Sequence, residues 1–213
     1  MSDEMPNLSG RRAQAARNDE RILAAAREVF VVTPDAPIAA VAERAGVGIS
    51  ALYRRYESKE DLLRRLCADG LARYIDAAER ALADDGDPWD AFVGFMRDAV
   101  EANSTALTLS LAGMFDPTPE LYLEADRAQR LNEQLFKRIR AAGAIRPDVT
   151  VNDIGLILEQ IAAVKLGDER RTSQLRRRYL ALALDALHQP GAGRLPGPPP
   201  RWQELSARWE RRA

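Results

Sequence analysis

Apolar side chains recur along the chain at the spacing of one face of an α-helix, and glycine and proline residues separate these runs. In the first run, Ile22, Ala26, Val29 and Phe30 follow one another at i, i+4, i+7 and i+8. This stripe predicts a helix from about Ala15 to Val31. No run of alternating β-branched residues predicts a strand, so the pattern indicates an all-α protein.

Capping signals predict two short helices after the first one. The first runs from about Ile38 to Ala45 and is followed by Gly46, as expected for a C-terminal glycine in the left-handed conformation. The second runs from about Ile49 to Tyr56, and Gly48 can serve as its N-cap.

Longer helices are predicted in the rest of the chain, which gives about nine core helices in all. Ser58–Asp61 and Thr150–Asp153 have the spacing of a capping box, whereas Asp87-Pro88 and Thr118-Pro119 place proline at the first helical position. The predicted helices span Ser58 to Gly86, Asp87 to beyond Met96, Thr105 to Phe115, Thr118 to Gly143, Ile154 to Leu166, and Glu169 to His188.

Composition narrows the class of protein. The 213 residues are 46% hydrophobic and carry a formal net charge of −1, so a core can form and any basic surface must be local. The single cysteine, Cys67, excludes an intramolecular disulfide, and the single histidine, His188, argues against a histidine-rich metal site. Without a signal-like or membrane-spanning apolar segment, we expect a soluble cytoplasmic protein.

The C-terminal end differs in composition from the rest. Residues 189–200 are rich in proline and glycine, which indicates a linker. Trp202, Leu205 and Trp209 then lie at i, i+3 and i+7, the spacing of a short final helix. Such a helix can dock on the body or remain a mobile tail, and the sequence leaves both open.

The segment from Ile38 to Leu62 carries the strongest functional signal. Two short helices meet at a tight glycine turn, and apolar or aromatic residues occupy the positions where the helices pack together. The packed positions are Val41, Ala42, Val47, Leu52 and Tyr56. The second helix leaves Ile49, Ser50, Ala51, Arg54 and Arg55 largely off that face. This arrangement is typical of a helix-turn-helix, whose second helix can enter a major groove.

The same segment resembles the DNA-binding domain of TetR regulators. The runs Val41–Val47, Leu52–Tyr56 and Lys59–Leu62 are similar to the family pattern Ile-Ala-x-x-Ala-Gly-Val, Leu-Tyr-x-His-Phe and Lys-x-x-Leu. About 45 residues, from roughly Asn18 to Leu62, carry the resemblance. It implies a DNA-binding domain in residues 1–62.

The resemblance implies which residues contact DNA. Tyr53 and Lys59 match positions that usually contact operator phosphates. The expected DNA-binding residues are Gly48, Ile49, Ser50, Ala51, Tyr53, Arg54, Arg55 and Lys59. Ile49 and Ala51 can contact thymine methyl groups, and Ser50 can bond a base edge or a phosphate.

The sequence departs from the family pattern at three places. The loop from Thr33 to Pro37 is shorter than usual, and Asp35 is the remaining candidate to cap the following helix. Ile49 stands where the family is often basic, and Arg55-Tyr56 replaces His-Phe. These changes concern which bases are read.

Two features of the N-terminal part have a simpler alternative. Arg11, Arg12 and Arg17 could form an arm that reaches a phosphate or a minor groove, or they could belong to a solvated terminus. The two short helices could likewise form a structural hairpin, but the flanking helices and the motif favour DNA binding.

The remaining residues are expected to bind an effector and a second copy of the chain. The resemblance implies a ligand-binding and dimerisation domain in residues 63–188, with residues 189–213 as linker and short helix. The two helices in residues 150–188 are apolar on several sides, which favours a four-helix homodimer interface over burial within one subunit.

The effector is expected to be a small apolar molecule. Aromatic and methionine side chains in the middle helices suit such a ligand, although the same set can form an ordinary core. The candidate pocket residues are Trp89, Phe92, Phe95, Met96, Leu109, Met114, Phe115 and Tyr122. Cys67 is expected to be a buried small hydrophobe, with redox sensing as the alternative.

Together these features predict a ligand-responsive repressor that binds duplex operator DNA as a homodimer. Its recognition helices would lie roughly 34–36 Å apart on a palindromic site. No catalytic residues, metal site or cofactor are expected, because the sequence shows no paired nucleophile and base, phosphate-binding glycine loop or metal-ligand spacing. The alternatives are a small helical enzyme and a helical adaptor without DNA binding.

Overall fold

A computed structural model describes residues 8–102, 111, 114–188, 193 and 195–206. These residues form nine helices and no strand, so the predicted all-α class is confirmed. None of these helices is long and apolar enough to cross a lipid bilayer. The helices are α1 (Leu8–Val32), α2 (Ile38–Ala45), α3 (Ile49–Arg55), α4 (Lys59–Ala83), α5 (Pro88–Glu101), α6 (Pro119–Ala141), α7 (Val151–Ala162), α8 (Glu169–His188) and α9 (Trp202–Ser206).

The chain divides into two compact units, Met1–Leu66 and Cys67–Ala213, and the boundary falls inside α4. In the N-terminal unit α1 packs against α2, and α2 against α3. Its core consists of side chains that are almost completely removed from solvent. They include Ala26, Phe30, Val41, Leu52, Leu62 and Leu66.

The C-terminal unit is built around α5, which packs against α6, α7 and α8. Phe92 and Met96 of α5 are fully buried together with Ile139 of α6 and Leu180 of α8. Asp87 caps α5 as the sequence predicts, because its carboxylate accepts hydrogen bonds from the next two available backbone N–H groups.

Most predicted helix limits agree with the structure to within about three residues, and two differ by more. The first helix begins at Leu8 instead of about Ala15. The helix that was expected to reach Leu166 ends at Ala162, where the guanidinium of Arg176 takes over the free carbonyl groups. Most of the predicted helix from Thr105 to Phe115 lies outside the described residues.

Arg176 closes the C-terminal end of α7 from the neighbouring helix. Its Nη2 donates to the carbonyl oxygen of Ala162 at 2.7 Å, and its Nε donates to that of Val164 at 3.2 Å. Arg176 is buried, and burial lowers the pKa of its guanidinium. The buried charge of Arg176 is thus compensated by carbonyl groups at the end of the helix, which carry partial negative charge.

The described part of the C-terminal end is docked on the body. The carboxylate of Asp148 pairs with Arg146 and accepts a 2.8 Å hydrogen bond from the backbone N–H of Leu195. The bond from Arg146 and then that from Leu195 lower the pKa of Asp148 to about 2. The Asn152 amide donates to the carbonyl oxygen of Pro200 at 2.9 Å. These bonds attach residues 195–200 to the body, whereas Trp202 of the final helix is 39% exposed and Leu205 is partly buried. Trp209 lies outside the described residues.

Candidate nucleic-acid interface

The turn between α2 and α3 has the conformation that the sequence predicts. Gly46 lies in the left-handed region, with φ 64° and ψ 37°. The N–H of Val47 reaches back to the carbonyl oxygen of Ala42 at 3.0 Å, and that of Gly46 to Glu43 at 3.1 Å. These bonds satisfy carbonyl groups that α2 would leave free at its end.

Gly48 begins α3 as its N-cap, with an extended backbone at φ −66° and ψ 140°. Its carbonyl oxygen accepts hydrogen bonds from the N–H groups of Ala51 and Leu52. Glycine offers no side chain for capping, so the first N–H groups of α3 receive no side-chain cap.

The side chains of α3 divide into a buried and an exposed set. Leu52 is fully buried and Tyr56, directly after the helix, is 3% exposed. On the other side, Ile49 is 40% and Tyr53 48% exposed. Gly48, Ser50, Arg54 and Arg55 are exposed as well, and Ala51 is partly buried. Apart from Lys59, which lies on α4, the residues that the sequence assigns to DNA thus lie at the exposed part of α3 or its N-cap, with Ala51 only partly exposed.

Asp35 does not cap α2, so this prediction was wrong. The N-cap position is taken by Pro37, whose backbone is extended at φ −68° and ψ 151° and which provides no side-chain hydrogen bond. Asp35 lies two residues earlier, in a turn that the N–H of Ala36 closes by bonding the carbonyl oxygen of Thr33.

Arg55 forms a two-pronged ion pair with Asp19 of α1. Its Nε lies 2.8 Å from Asp19 Oδ1, and its Nη2 lies 3.0 Å from Oδ2. Tyr56 donates its hydroxyl hydrogen to Oδ1 of the same carboxylate, over 2.5 Å. The hydrogen bond from Arg55 holds the pKa of Asp19 below its usual value, and the one from Tyr56 acts in the same direction. The carboxylate is therefore ionised at neutral pH.

The side chain of Lys59 also points toward residues of the N-terminal unit. Its ammonium group lies 3.4 Å from the carbonyl oxygen of Pro34 and 5.3 Å from the ring centre of Phe30. It lies in the first turn of α4, which the hydroxyl of Ser58 caps by accepting a hydrogen bond from the N–H of Asp61. The predicted capping of α4 by Ser58 is thus confirmed.

The N-terminal arginines lie on α1, which begins at Leu8. Arg17 is exposed to solvent, whereas the side chains of Arg11 and Arg12 lie outside the described part of the chain. The sequence predicted the first helix to begin at about Ala15, which would leave Arg11 and Arg12 before it, and that prediction was wrong for the backbone.

The candidate pocket residues do not form one group. Trp89, Phe92, Phe95 and Met96 are buried side by side on α5. Phe115 is buried and Met114 partly buried, whereas Leu109 lies outside the described residues. Tyr122 is 51% exposed, so its predicted place among the interior aromatic residues was wrong. The sequence gives the periodicity of α6 but not the direction in which this tyrosine points.

A polar pair that the sequence analysis missed lies beside this aromatic group. The hydroxyl of Tyr74 on α4 donates a 2.9 Å hydrogen bond to the amide oxygen of Asn132 on α6. The ring of Tyr74 meets that of Phe95 edge to face at 5.1 Å, and burial raises the pKa of the hydroxyl. The residues are 58 positions apart, so no local sequence signal joins them.

The two helices expected to form a dimer interface are partly used inside the subunit. Leu158 of α7 and Leu180 and Leu184 of α8 are buried in the core of the C-terminal unit. On α8, however, Tyr179 is 49% and Leu182 54% exposed. An apolar stripe therefore remains on the surface of α8.

The described residues show no candidate metal site. Among them, no group of three or more His, Cys, Asp or Glu side chains is arranged to hold a metal ion.

Family comparisons match both units. The model of bacterial regulatory proteins of the tetR family matches residues 22–66. The model described as the C-terminal domain of the SbtR-like transcriptional regulator matches residues 87–189. No curated protein is significantly similar to the chain in sequence.

Solved structures of similar proteins share the fold. A TetR transcriptional regulator from Streptomyces coelicolor is 28% identical, with a TM-score of 0.57 over 81% of this chain and 99% of its own. A TetR transcription regulatory protein from Mycobacterium vanbaalenii is 29% identical, with a TM-score of 0.54 over 84% and 99%. A TetR-like regulator from Mycobacterium smegmatis, solved in complex with proflavine, is 22% identical, with a TM-score of 0.59 over 78% and 95%.

Proposed function

The chain belongs to the TetR family of bacterial regulatory proteins, and from this premise we propose that it is a ligand-responsive repressor. It binds a palindromic operator as a homodimer and leaves it when a small molecule binds. We assign DNA binding to residues 1–62 and the other two tasks to residues 63–188. Because its target is chromosomal DNA, the protein would act in the cytoplasm.

One observation carries the DNA-binding proposal: α3 buries one side and exposes the other. Leu52 and Tyr56 anchor the helix in the N-terminal unit, while Ile49, Tyr53 and Arg54 face solvent. A short helix that is anchored on one side and exposes an apolar, an aromatic and a cationic side chain on the other can fit a major groove. Ile49 would contact base methyl groups, and Tyr53 and Arg54 would contact phosphates.

The exposed stripe on α8 supports a homodimer. Tyr179, Leu182 and Ala186 follow one another at i, i+3 and i+7, so they share one side of the helix, and all three are exposed. Two of these large apolar side chains are about half exposed in the single subunit. Pairing α8 with its copy across a two-fold axis would cover them, and that axis would match a palindromic site.

The interior of the C-terminal unit supports an aromatic or apolar effector. Phe95, Trp89 and Tyr74 supply ring surfaces, and the hydroxyl of Tyr74 and the amide of Asn132 supply polar groups for orientation. The Mycobacterium smegmatis regulator was solved in complex with proflavine, a planar aromatic molecule, which supports an effector of this kind. An effector that binds one state of the dimer more tightly shifts the equilibrium toward that state. The resulting loss of affinity for DNA is at most the ratio of the effector's affinities for the two states.

The DNA-binding proposal is tested by selecting duplexes from a random-sequence library with the full-length protein. We expect an enriched palindrome, bound more weakly as salt increases. Tyr53→Ala should lower the affinity for it by roughly tenfold, whereas Tyr122→Ala, an equally exposed tyrosine on α6, should not. If no sequence is enriched, the protein is an adaptor or an enzyme instead.

The dimer is tested by sedimentation of variants. Leu182→Glu introduces a charge into the α8 stripe and should yield monomers, because an unpaired buried charge is costly. Leu123→Glu changes a similarly exposed leucine of α6 and should leave the dimer intact. A full-length protein that is monomeric at micromolar concentration would contradict this part of the proposal.

A further inference from the structure

We propose that Arg55 is a positioning residue of the DNA-binding helix and that Arg54 beside it makes the phosphate contact. The proposal rests on the DNA-binding function given above and assigns different tasks to two neighbouring arginines of α3. The sequence alone gives them the same task, because both are cationic and both belong to the same predicted helix.

The position of α3 cannot come from the helix itself. It has only seven residues, which is about two turns, and helices of this length are unstable in isolation. Its direction must therefore be set by contacts at both ends. The Gly46 turn holds the N-terminal end, and Leu52 anchors the middle.

Asp19 holds the C-terminal end of α3. Its carboxylate receives two hydrogen bonds from Arg55 and one from Tyr56, so three donors on two consecutive residues converge on one group. The side chain of Asp19 is only 13% exposed, and Arg65 of α4 adds a further positive charge nearby. Two-pronged pairs of this kind fix geometry as well as contribute energy.

The two arginines differ in how far their charge is available to DNA. The guanidinium of Arg55 already faces a carboxylate, which would compete with any phosphate. Arg54 forms no ion pair or hydrogen bond with any other residue in the described part of the chain, and it is exposed on the side of Tyr53. A phosphate approaching α3 would therefore meet the free charge of Arg54 first.

The salt dependence of binding separates the two tasks. Removing one phosphate contact lowers the slope of log K against log salt by about 0.9, so a substitution present in both subunits lowers it by about 2. On the selected duplex, Arg54→Gln should weaken binding and reduce the slope by that amount. Arg55→Gln should weaken binding by roughly tenfold and leave the slope unchanged.

Asp19→Asn completes the test, because it removes the partner without touching a DNA-facing residue. It should weaken binding about as much as Arg55→Gln, again without a change of slope. The double variant should be no weaker than either single one, since both remove the same bridge. A lower slope for Arg55→Gln, full affinity for Asp19→Asn, or additive effects in the double variant would overturn the proposal.

A scrambled duplex distinguishes positioning from a decrease in folded protein. All measurements are made on full-length protein well below the unfolding temperature of each variant. Variants with a misplaced α3 should lose affinity for the selected duplex but keep it for the scrambled one, whereas partial unfolding would reduce the affinity for both.

Arg55→Lys keeps the positive charge but not the bidentate geometry, and it should recover only part of the affinity. A wild-type protein that selects no duplex would contradict DNA binding itself, an outcome separate from these.

Discussion

The guanidinium of Arg21 on α1 donates a 2.7 Å hydrogen bond to the carbonyl oxygen of Ala45, the last residue of α2. This bond leaves little room at the next position, because a Cβ atom on Gly46 would lie 3.0 Å from the same Arg21 nitrogen. Gly46 is also the residue with a positive φ of 64° in this turn. The positive φ is thus the main reason for glycine in the turn before α3, and a Cβ atom would in addition press against the flexible end of Arg21.

We expect Gly46→Ala to lower the free energy of unfolding by roughly 1–2 kcal/mol, because alanine is strained at this φ and would displace Arg21. Denaturant titration would measure the change. Gly94→Ala is the control, since Gly94 lies exposed within α5 with no atom near its would-be Cβ. That variant should instead be more stable by about 0.5–1 kcal/mol. Similar destabilisation of both variants would contradict the argument.

The bridge between Asp19 and Arg55 predicts a defined pH dependence of stability. Folding lowers the pKa of Asp19, so its contribution is present above the unfolded value of about 3.9 and is lost as pH falls through the lower folded value. The difference in unfolding free energy between wild type and Asp19→Asn should therefore stay constant from about pH 8 to 5 and shrink below about pH 4. A difference that changes between pH 6 and 8 would implicate another group.

The buried cap on α7 predicts unequal effects of two neighbouring arginines. Arg176→Met removes the donors to Ala162 and Val164 and should cost roughly 2 kcal/mol of unfolding free energy. Arg177→Met removes an exposed ion pair with Glu101, whose atoms are 3.6 Å apart, and should cost less than about 1 kcal/mol. Thermal or denaturant unfolding measures both, and equal costs would argue against the cap.

Cys67 should be inert in the native protein. Burial raises the pKa of its thiol to about 12, so almost no thiolate exists at neutral pH. A thiol-specific reagent should react with Cys67 only as fast as the protein opens, and at full speed in denaturant. Rapid reaction under native conditions would restore the redox-sensing alternative.

Local signals predicted the parts of the fold that are determined locally. Residues within a few positions of the helix ends predicted the limits of α2, the left-handed conformation of Gly46 and the N-caps at Gly48 and Asp87. Such features depend on backbone groups that must be satisfied near by, so the sequence around them is informative.

The features that the sequence did not predict depend on distant partners. α7 ends earlier than predicted, at Ala162, whose carbonyl oxygen accepts a hydrogen bond from Arg176 on the next helix. Arg55 turns toward a carboxylate 36 positions earlier, and Tyr74 meets an amide 58 positions later. A periodic pattern shows that α6 is amphipathic, but it did not show that Tyr122 faces outward.

The bond between α1 and the end of α3 has a consequence for redesign. A recognition segment transplanted from one regulator to another would arrive without the carboxylate that orients its final turn. Conversely, a foreign segment placed in this chain would leave Asp19 partly buried and unpaired, with an energetic cost of its own. Under the proposed function, the unit to exchange for altering operator choice is therefore discontinuous: it consists of the segment around Gly48–Tyr56 and one position on the first helix.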